Sequence, residues 1–298
     1  MDFYNTLLES YRTLLSGAAK IVQKIGGNQV NYHPCPLFST MLKGCAEKAM
    51  DYTAGGAEYN PSGVALVGFA DVVNSLFAIQ EICFRRKILT LEEMSACLAA
   101  NWAGYENLRQ QIMALPKFGG NSVELRELAA RFSSDIAAVI RSLPNERNEY
   151  FQPSYFVYFS FKKFADRTSA TPDGRRYGDI LSQGIAPNRT GCTATATEVV
   201  NFLKEIDFKD IPGNAVLDLM LPLSTSWTTE TVSAFIRSAI QSGIPTLQLN
   251  LVNREDLLDA KIHPENHTSL TVRISGLSAV FIKLHENVQD EIISRHFF

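Results

Sequence analysis

The chain has 298 residues, 46% of them hydrophobic and 20% charged, and a formal net charge of −3. That length supports one large core or two modest ones, and so balanced a charge gives no electrostatic case for binding nucleic acid or an anionic membrane surface. No apolar run reaches the roughly 20 residues of a membrane span. The opening stretch scatters Asp2, Glu9 and Arg12 among apolar positions, so no signal peptide is expected. The cysteines (Cys35, Cys45, Cys83, Cys97 and Cys192) are odd in number and lack Cys-x-x-Cys spacing. They point to a reducing cytoplasm and to neither a disulfide framework nor a zinc site.

In chain order, helices come first. Leu7, Leu8, Tyr11, Leu14, Leu15, Ala18, Ile21, Val22 and Ile25 recur at helical spacing, and Gly26-Gly27 ends the run. A loop rich in Asn, His and Pro leads to a predicted helix over 38–50, and Gly55-Gly56 precedes a long apolar helix over 64–85. Thr90 and Glu93 form a capping box for the next helix, towards Trp102. Leu125, Leu128, Phe132, Ile136, Val139 and Ile140 mark another amphipathic helix, ended near Pro144.

Beyond a soft boundary near residue 150 the texture becomes α/β. Tyr155-Phe-Val-Tyr-Phe-Ser160 reads as a buried strand and Thr171-Pro-Asp-Gly174 as a turn. Ala215-Val-Leu-Asp-Leu-Met-Leu221 and Thr246-Leu-Gln-Leu-Asn250 read as strands, with helices over 232–240 and 255–260. Near the end, Leu270, Val272 and Ile274 alternate with Thr271, Arg273 and Ser275 in a half-buried strand that stops at Gly276. A helical stretch follows over 288–295.

Lesser constellations give little. Pro264 interrupts His263 and His267, so a surface loop is expected there and not a metal site. Ser278 lacks the second glycine of a nucleophile elbow. Lys162, Lys163, Arg167, Arg175, Arg176 and Arg189 crowd one region, and a solvated charge face is expected ahead of an anion site.

Thr271-Val-Arg-Ile-Ser-Gly276 resembles the glycyl-radical motif of the pyruvate formate-lyase-like enzymes, and Ile244–Asn250, Leu257–Ala260 and Gln289–Arg295 match its flanks. Further blocks resemble the family's C-terminal half in order: Asp51–Tyr59, Asn74–Ile79, Asn101–Glu106, Pro116–Gly119 and Ala170–Arg176. The resemblance spans nearly the whole chain and implies half of a ten-stranded α/β barrel with outer helices, ending in a glycine loop. Residues 1–150 would be the mainly helical part and 151–298 the half-barrel with its glycine-radical domain. The motif departs from the family pattern at position 277, where Leu replaces the usual Tyr and removes a phenol.

By the same resemblance, Gly276 stores the radical, with Arg273, Ser275 and Leu277 supporting its loop. Glycine suits that task because a planar radical centre delocalised between amide nitrogen and carbonyl tolerates no Cβ. The implied cofactor logic places no cofactor in this chain. A radical S-adenosylmethionine activating enzyme, with its iron–sulfur cluster, removes the hydrogen. The stored radical then oxidises a cysteine thiol to a thiyl, which cleaves a small substrate in a lyase, dehydratase or acyltransferase reaction. The ending over 288–295 leans towards the dehydratase-like branch.

The expected partners are a cysteine-loop-bearing N-terminal half or subunit, the activating enzyme and a small-molecule substrate, in a homo- or hetero-oligomer. Cys35 is the thiol candidate within this chain, although its block resembles a structural segment of the family; Cys192 follows Gly191 at an expected helix start that would somewhat favour a thiolate, but packing is its expected role. The reading requires the Gly276 carbon to be sheltered within reach of sulfur on another polypeptide. The alternative is a catalytically silent truncated remnant or binding subunit.

Overall fold

The computed structural model describes residues 3–156, 161–223, 227–274, 276–295 and 298. The chain forms two compact units interleaved in sequence. One comprises Met1–Ala65, Arg131–Ser154 and Lys209–Gly213, and the other Leu66–Ala130, Tyr155–Phe208 and Asn214–Phe298. Among the described residues no helix is long and apolar enough to cross a membrane.

The first unit begins with the expected helix, Phe3–Gly26, which buries only Tyr4 and Ala19. Tyr4 donates its hydroxyl to Asp135 at 2.7 Å, beneath the Arg131 guanidinium 4.2 Å from its ring. Two sequence expectations are corrected here. The helix expected over 38–50 is two single turns, Pro36–Ser39 and Cys45–Lys48, because Gly44 takes a φ of 95° and breaks the hydrogen-bond ladder. The start of the helix expected over 64–85 is strand β1, Ser62–Ala65, paired in parallel with β2, Phe151–Ser154. That pairing is a tertiary contact, which outweighs the local helical pattern.

Asp51 ties the loops of this unit together. Its carboxylate accepts from Cys35 N at 3.0 Å, Ser39 Oγ at 2.8 Å, Thr53 N at 2.9 Å and Thr53 Oγ1 at 2.6 Å. The bonds from Thr53, Ser39 and Cys35 outweigh desolvation and hold the carboxyl below its usual range.

The second unit holds the larger core. Helix Phe69–Ile79 is buried along almost its whole length and runs into a π-helical turn, Gln80–Arg85. Leu91–Ala99 starts on the expected Thr90–Glu93 capping box. Ala196–Leu203 has an equivalent box from Thr195 and Glu198, which sequence reading passed over. Strands β3, Val216–Leu221, and β4, Thr246–Leu251, are parallel and joined through helix Thr229–Gln241. Tyr155 bridges to Ala215 beside β3, so the strand expected over 155–160 contributes this one pairing, and residues 157–160 lie outside the described set. Helix Arg254–Ile262, a β-hairpin and helix Glu286–Ile293 complete the unit, around a core of Met220, Val252, Leu257, Ala260, Val272, Phe281, Ile292 and Ile293.

The basic run is not a uniform charge face. Arg175 is fully buried and donates to the carbonyls of Thr168, Ser169, Arg176 and Asp179, gathering the 168–179 loop around its guanidinium. Beside it, Asn188 Nδ2 bridges Asp71 Oδ1 at 3.2 Å and Asp173 Oδ2 at 2.6 Å, while Ser182 N donates to Asp71 at 2.6 Å. Burial, then the charge of Asp173, push the Asp71 carboxyl up to about 6.

Two predictions follow from these features. Leu14, Ile21 and Ile25 share one face of the first helix and are all exposed, a stripe that favours association. The isolated chain is expected to self-associate with concentration by light scattering and Leu14→Lys/Ile21→Lys to reduce it, whereas a wild-type chain monomeric at all concentrations would contradict this. For Asp71, a raised native pKa means that its stability contribution is complete below the unfolded value and is lost as pH rises through about 6. Wild type should therefore lose denaturant stability relative to Asp71→Asn between about pH 4 and pH 7, and parallel stability curves would rule this out.

Candidate functional site

The hairpin pairs β5, Thr271–Ile274, with β6, Leu277–Val280, in the register Ile274 to Leu277 and Arg273 to Ser278. Only positions 275 and 276 connect the strands, and a two-residue connection demands positive φ. Gly276 supplies it, at 85°. The sequence showed the first strand and its stop at Gly276. It did not show β6, because Leu-Ser-Ala-Val is short and its first half is exposed.

Side chains from β4 hold the hairpin. Gly276 N donates to Gln248 Oε1 at 2.9 Å, and Arg273 N to Asn250 Oδ1 at 2.7 Å. Gln248 Nε2 and Asn250 Nδ2 lie 3.4 and 3.3 Å from the Arg273 carbonyl. On the other side of the turn, Arg273 Nη2 donates to the Gly276 carbonyl at 2.8 Å and Nη1 to Ser278 Oγ at 3.3 Å. Both polar groups of the Gly276 peptide segment are thus engaged.

The two amides rest on one carboxylate. Asp218, opposite Gln248 in the β3–β4 register, accepts from Gln248 Nε2 at 2.7 Å and Asn250 Nδ2 at 3.2 Å. Arg295 Nη1 reaches the same carboxylate at 2.7 Å, while its Nε and Nη2 engage Glu291 at 3.1 and 3.0 Å. Arg189 and Gln183 also donate to Glu291. Burial pushes the Asp218 carboxyl up and Arg295 pulls it back only in part. At Glu291 burial acts in the same raising sense, but Arg295 and Arg189 together overcome it and hold the group low.

The expected site residues are not all brought together. Arg273 lies beside Gly276 and donates to its carbonyl. Leu277 pairs with Ile274 and is 60% exposed. Ser275 lies outside the described residues. Cys35 belongs to the other unit, where its thiol donates to the His33 carbonyl at 3.6 Å. Cys192 lies ahead of helix Ala196–Leu203 and not at its start, and burial pushes its thiol up, in keeping with the expected packing role and against a thiolate.

The described residues of this chain do not themselves shelter Gly276. The residue is exposed, and among the described residues a methyl group on its α-carbon would meet no atom within 4 Å. Asp218, Gln248, Asn250 and Arg295 were not singled out from sequence. Their signals were a lone acid in an apolar strand and two amides at i and i+2, one strand face.

Residues 1–160 match the pyruvate formate lyase-like family and residues 182–282, which include Gly276, the glycine radical family. The chain belongs to the pyruvate formate lyase-like, glycyl radical enzyme family. Trans-4-hydroxy-L-proline dehydratase of Clostridioides difficile is 27% identical over 98% of this chain and 38% of the relative. Isethionate sulfite-lyase of Oleidesulfovibrio alaskensis is 28% identical over 99% and 36%. The solved B12-independent glycerol dehydratase of Clostridium butyricum superimposes with a TM-score of 0.91 at 27% identity, covering 100% of this chain and 39% of that one. The fold is therefore that of part of the glycyl radical enzyme α/β barrel, as expected, and the chain spans well under half the length of these relatives.

Within this glycyl radical enzyme chain, space and charge make contrasting predictions. Gly276→Ala should cost only the left-handed backbone penalty, about 1–2 kcal/mol. Arg295→Met leaves the largely buried Asp218 without a cation and Glu291 with Arg189 alone, and should cost about 3 kcal/mol. Denaturant titrations that reversed this order would contradict the placement of both residues.

Proposed function

We propose that this chain carries the radical-storing glycine of a glycyl radical lyase or dehydratase, with Gly276 as the storage site. The observation that carries the reading is the engaged hairpin: a glycine at positive φ whose amide and carbonyl are both hydrogen-bonded, inside the glycine radical match. A radical S-adenosylmethionine activating enzyme would remove one hydrogen atom from its α-carbon. A cysteine thiol on a separate polypeptide segment would then return a hydrogen atom to Gly276 and become the thiyl that attacks the substrate. Arg273 and Leu277 shape the loop, and Ser275 is assigned with them by the motif.

The relatives named above are dehydratases and a sulfite-lyase, so a small hydroxylated or sulfonated substrate is the class proposed, with formate acetyltransferase chemistry behind it. The exposure of Gly276 favours a second reading, a catalytically silent remnant or binding subunit. The first reading requires a cysteine-bearing partner to cover the hairpin.

The two readings separate by oxygen cleavage. After anaerobic incubation with an activating enzyme and a cysteine-bearing partner half from a full-length relative, admission of air should cut the chain at Gly276. Mass spectrometry should then find the short C-terminal peptide, in wild type and not in Gly276→Ala. An uncut wild-type chain, under conditions that activate and cleave the full-length relative, would exclude the radical reading and leave the silent one.

A further inference from the structure

The Asp218 carboxylate presents acceptors only, and its two oxygens take the amide NH2 groups of Gln248 and Asn250. Both side chains are consequently turned the same way: each NH2 group makes its shorter contact to Asp218 and a longer one, 3.4 or 3.3 Å, to the Arg273 carbonyl, and each oxygen faces a hairpin N–H. Gln248 Oε1 meets Gly276 N–H and Asn250 Oδ1 meets Arg273 N–H. The opposite orientation of Gln248 would set an NH2 donor against the Gly276 donor. Gln248 and Asn250 are buried, so water cannot substitute freely for either partner.

We propose that Asp218 is a positioning residue acting through Gln248, and that the Gln248 oxygen, together with Arg273, tunes the electronic character of a radical at Gly276. The inference rests on the reading of Gly276 as the radical site. Hydrogen removal takes one proton and one electron together from the α-carbon and forms a C–H bond on the abstracting carbon radical of the activating enzyme. The peptide gains no net charge. The remaining electron spreads towards the carbonyl while the amide nitrogen donates density.

An acceptor on the N–H strengthens that donation, and a guanidinium on the carbonyl oxygen strengthens the withdrawal. Gln248 and Arg273 occupy those two places, 2.9 and 2.8 Å from the nitrogen and the oxygen. They are aligned before the bond breaks, so little reorganisation accompanies the step. The charged donor makes the stronger bond of the two.

The test compares the full chain, reconstituted with its cysteine-bearing partner and activating enzyme, with Asp218→Asn, Gln248→Leu and Gln248→Glu. Before activation, hydrogen exchange at the Gly276 amide should quicken about tenfold in Asp218→Asn and Gln248→Leu, the equivalent of one lost hydrogen bond. After activation, these two variants should alter the α-proton splitting of the paramagnetic resonance doublet and lower the radical yield several-fold. Gln248→Glu, sharing one proton with Asp218, still offers an oxygen to the amide and should restore both.

A loss of fold alone would lower yield without moving the splitting of the radical that does form. Wild-type splitting in both Asp218→Asn and Gln248→Leu would overturn the proposal while leaving Gly276 as the radical site. No doublet from wild type would overturn both.

Discussion

One largely buried carboxylate organises the end of this chain. Asp218 sits where β3, β4 and the last helix meet, and it is held there by Arg295, which also engages Glu291. A carboxylate in that setting is costly unless every lone pair finds a donor. Arg295, Gln248 and Asn250 supply those donors. The consequence reaches the hairpin: amides whose NH2 groups are held by Asp218 and, more loosely, by the Arg273 carbonyl offer their oxygens to the N–H groups of Arg273 and Gly276. An interaction within the core therefore sets the hydrogen bonding of an exposed glycine.

That network was not legible in the sequence, whereas much of the fold around it was, for reasons that differ by element. Alternation of Leu270, Val272 and Ile274 gave β5, since Val272 is buried in the core beneath the hairpin. Polar side chains at Thr90 and Glu93 gave a helix start because capping is local chemistry. Strand β1 was not legible, because Ser62–Ala65 becomes a strand only by meeting β2 far along the chain. Gln248 and Asn250 were readable as strand residues, but their task depends on Asp218 some 30 positions away. Arg175 looked like one more surface cation, and only the folded loop shows that it binds carbonyls.

The exposure of Gly276 bears most directly on function. An unpaired electron at an open carbon would meet solvent and oxygen, and the described residues of this chain offer no cover at that carbon. The hairpin is prepared from the core side, by Gln248 and Arg273, and uncovered on the other. Storage of a radical then depends on a partner closing the open side. The chain spans 38% of the hydroxyproline dehydratase it resembles, and under the proposed function the cover would come from a polypeptide segment outside these residues.

The central claim is that the α-carbon of Gly276 can hold an unpaired electron. Paramagnetic resonance on the anaerobically activated complex, prepared from a chain carrying [2-13C]glycine, tests it most directly. The account predicts a doublet that gains further splitting from the labelled carbon and disappears in Gly276→Ala. A spectrum indifferent to the label, or one that survives the alanine substitution, would place the electron elsewhere and contradict the account.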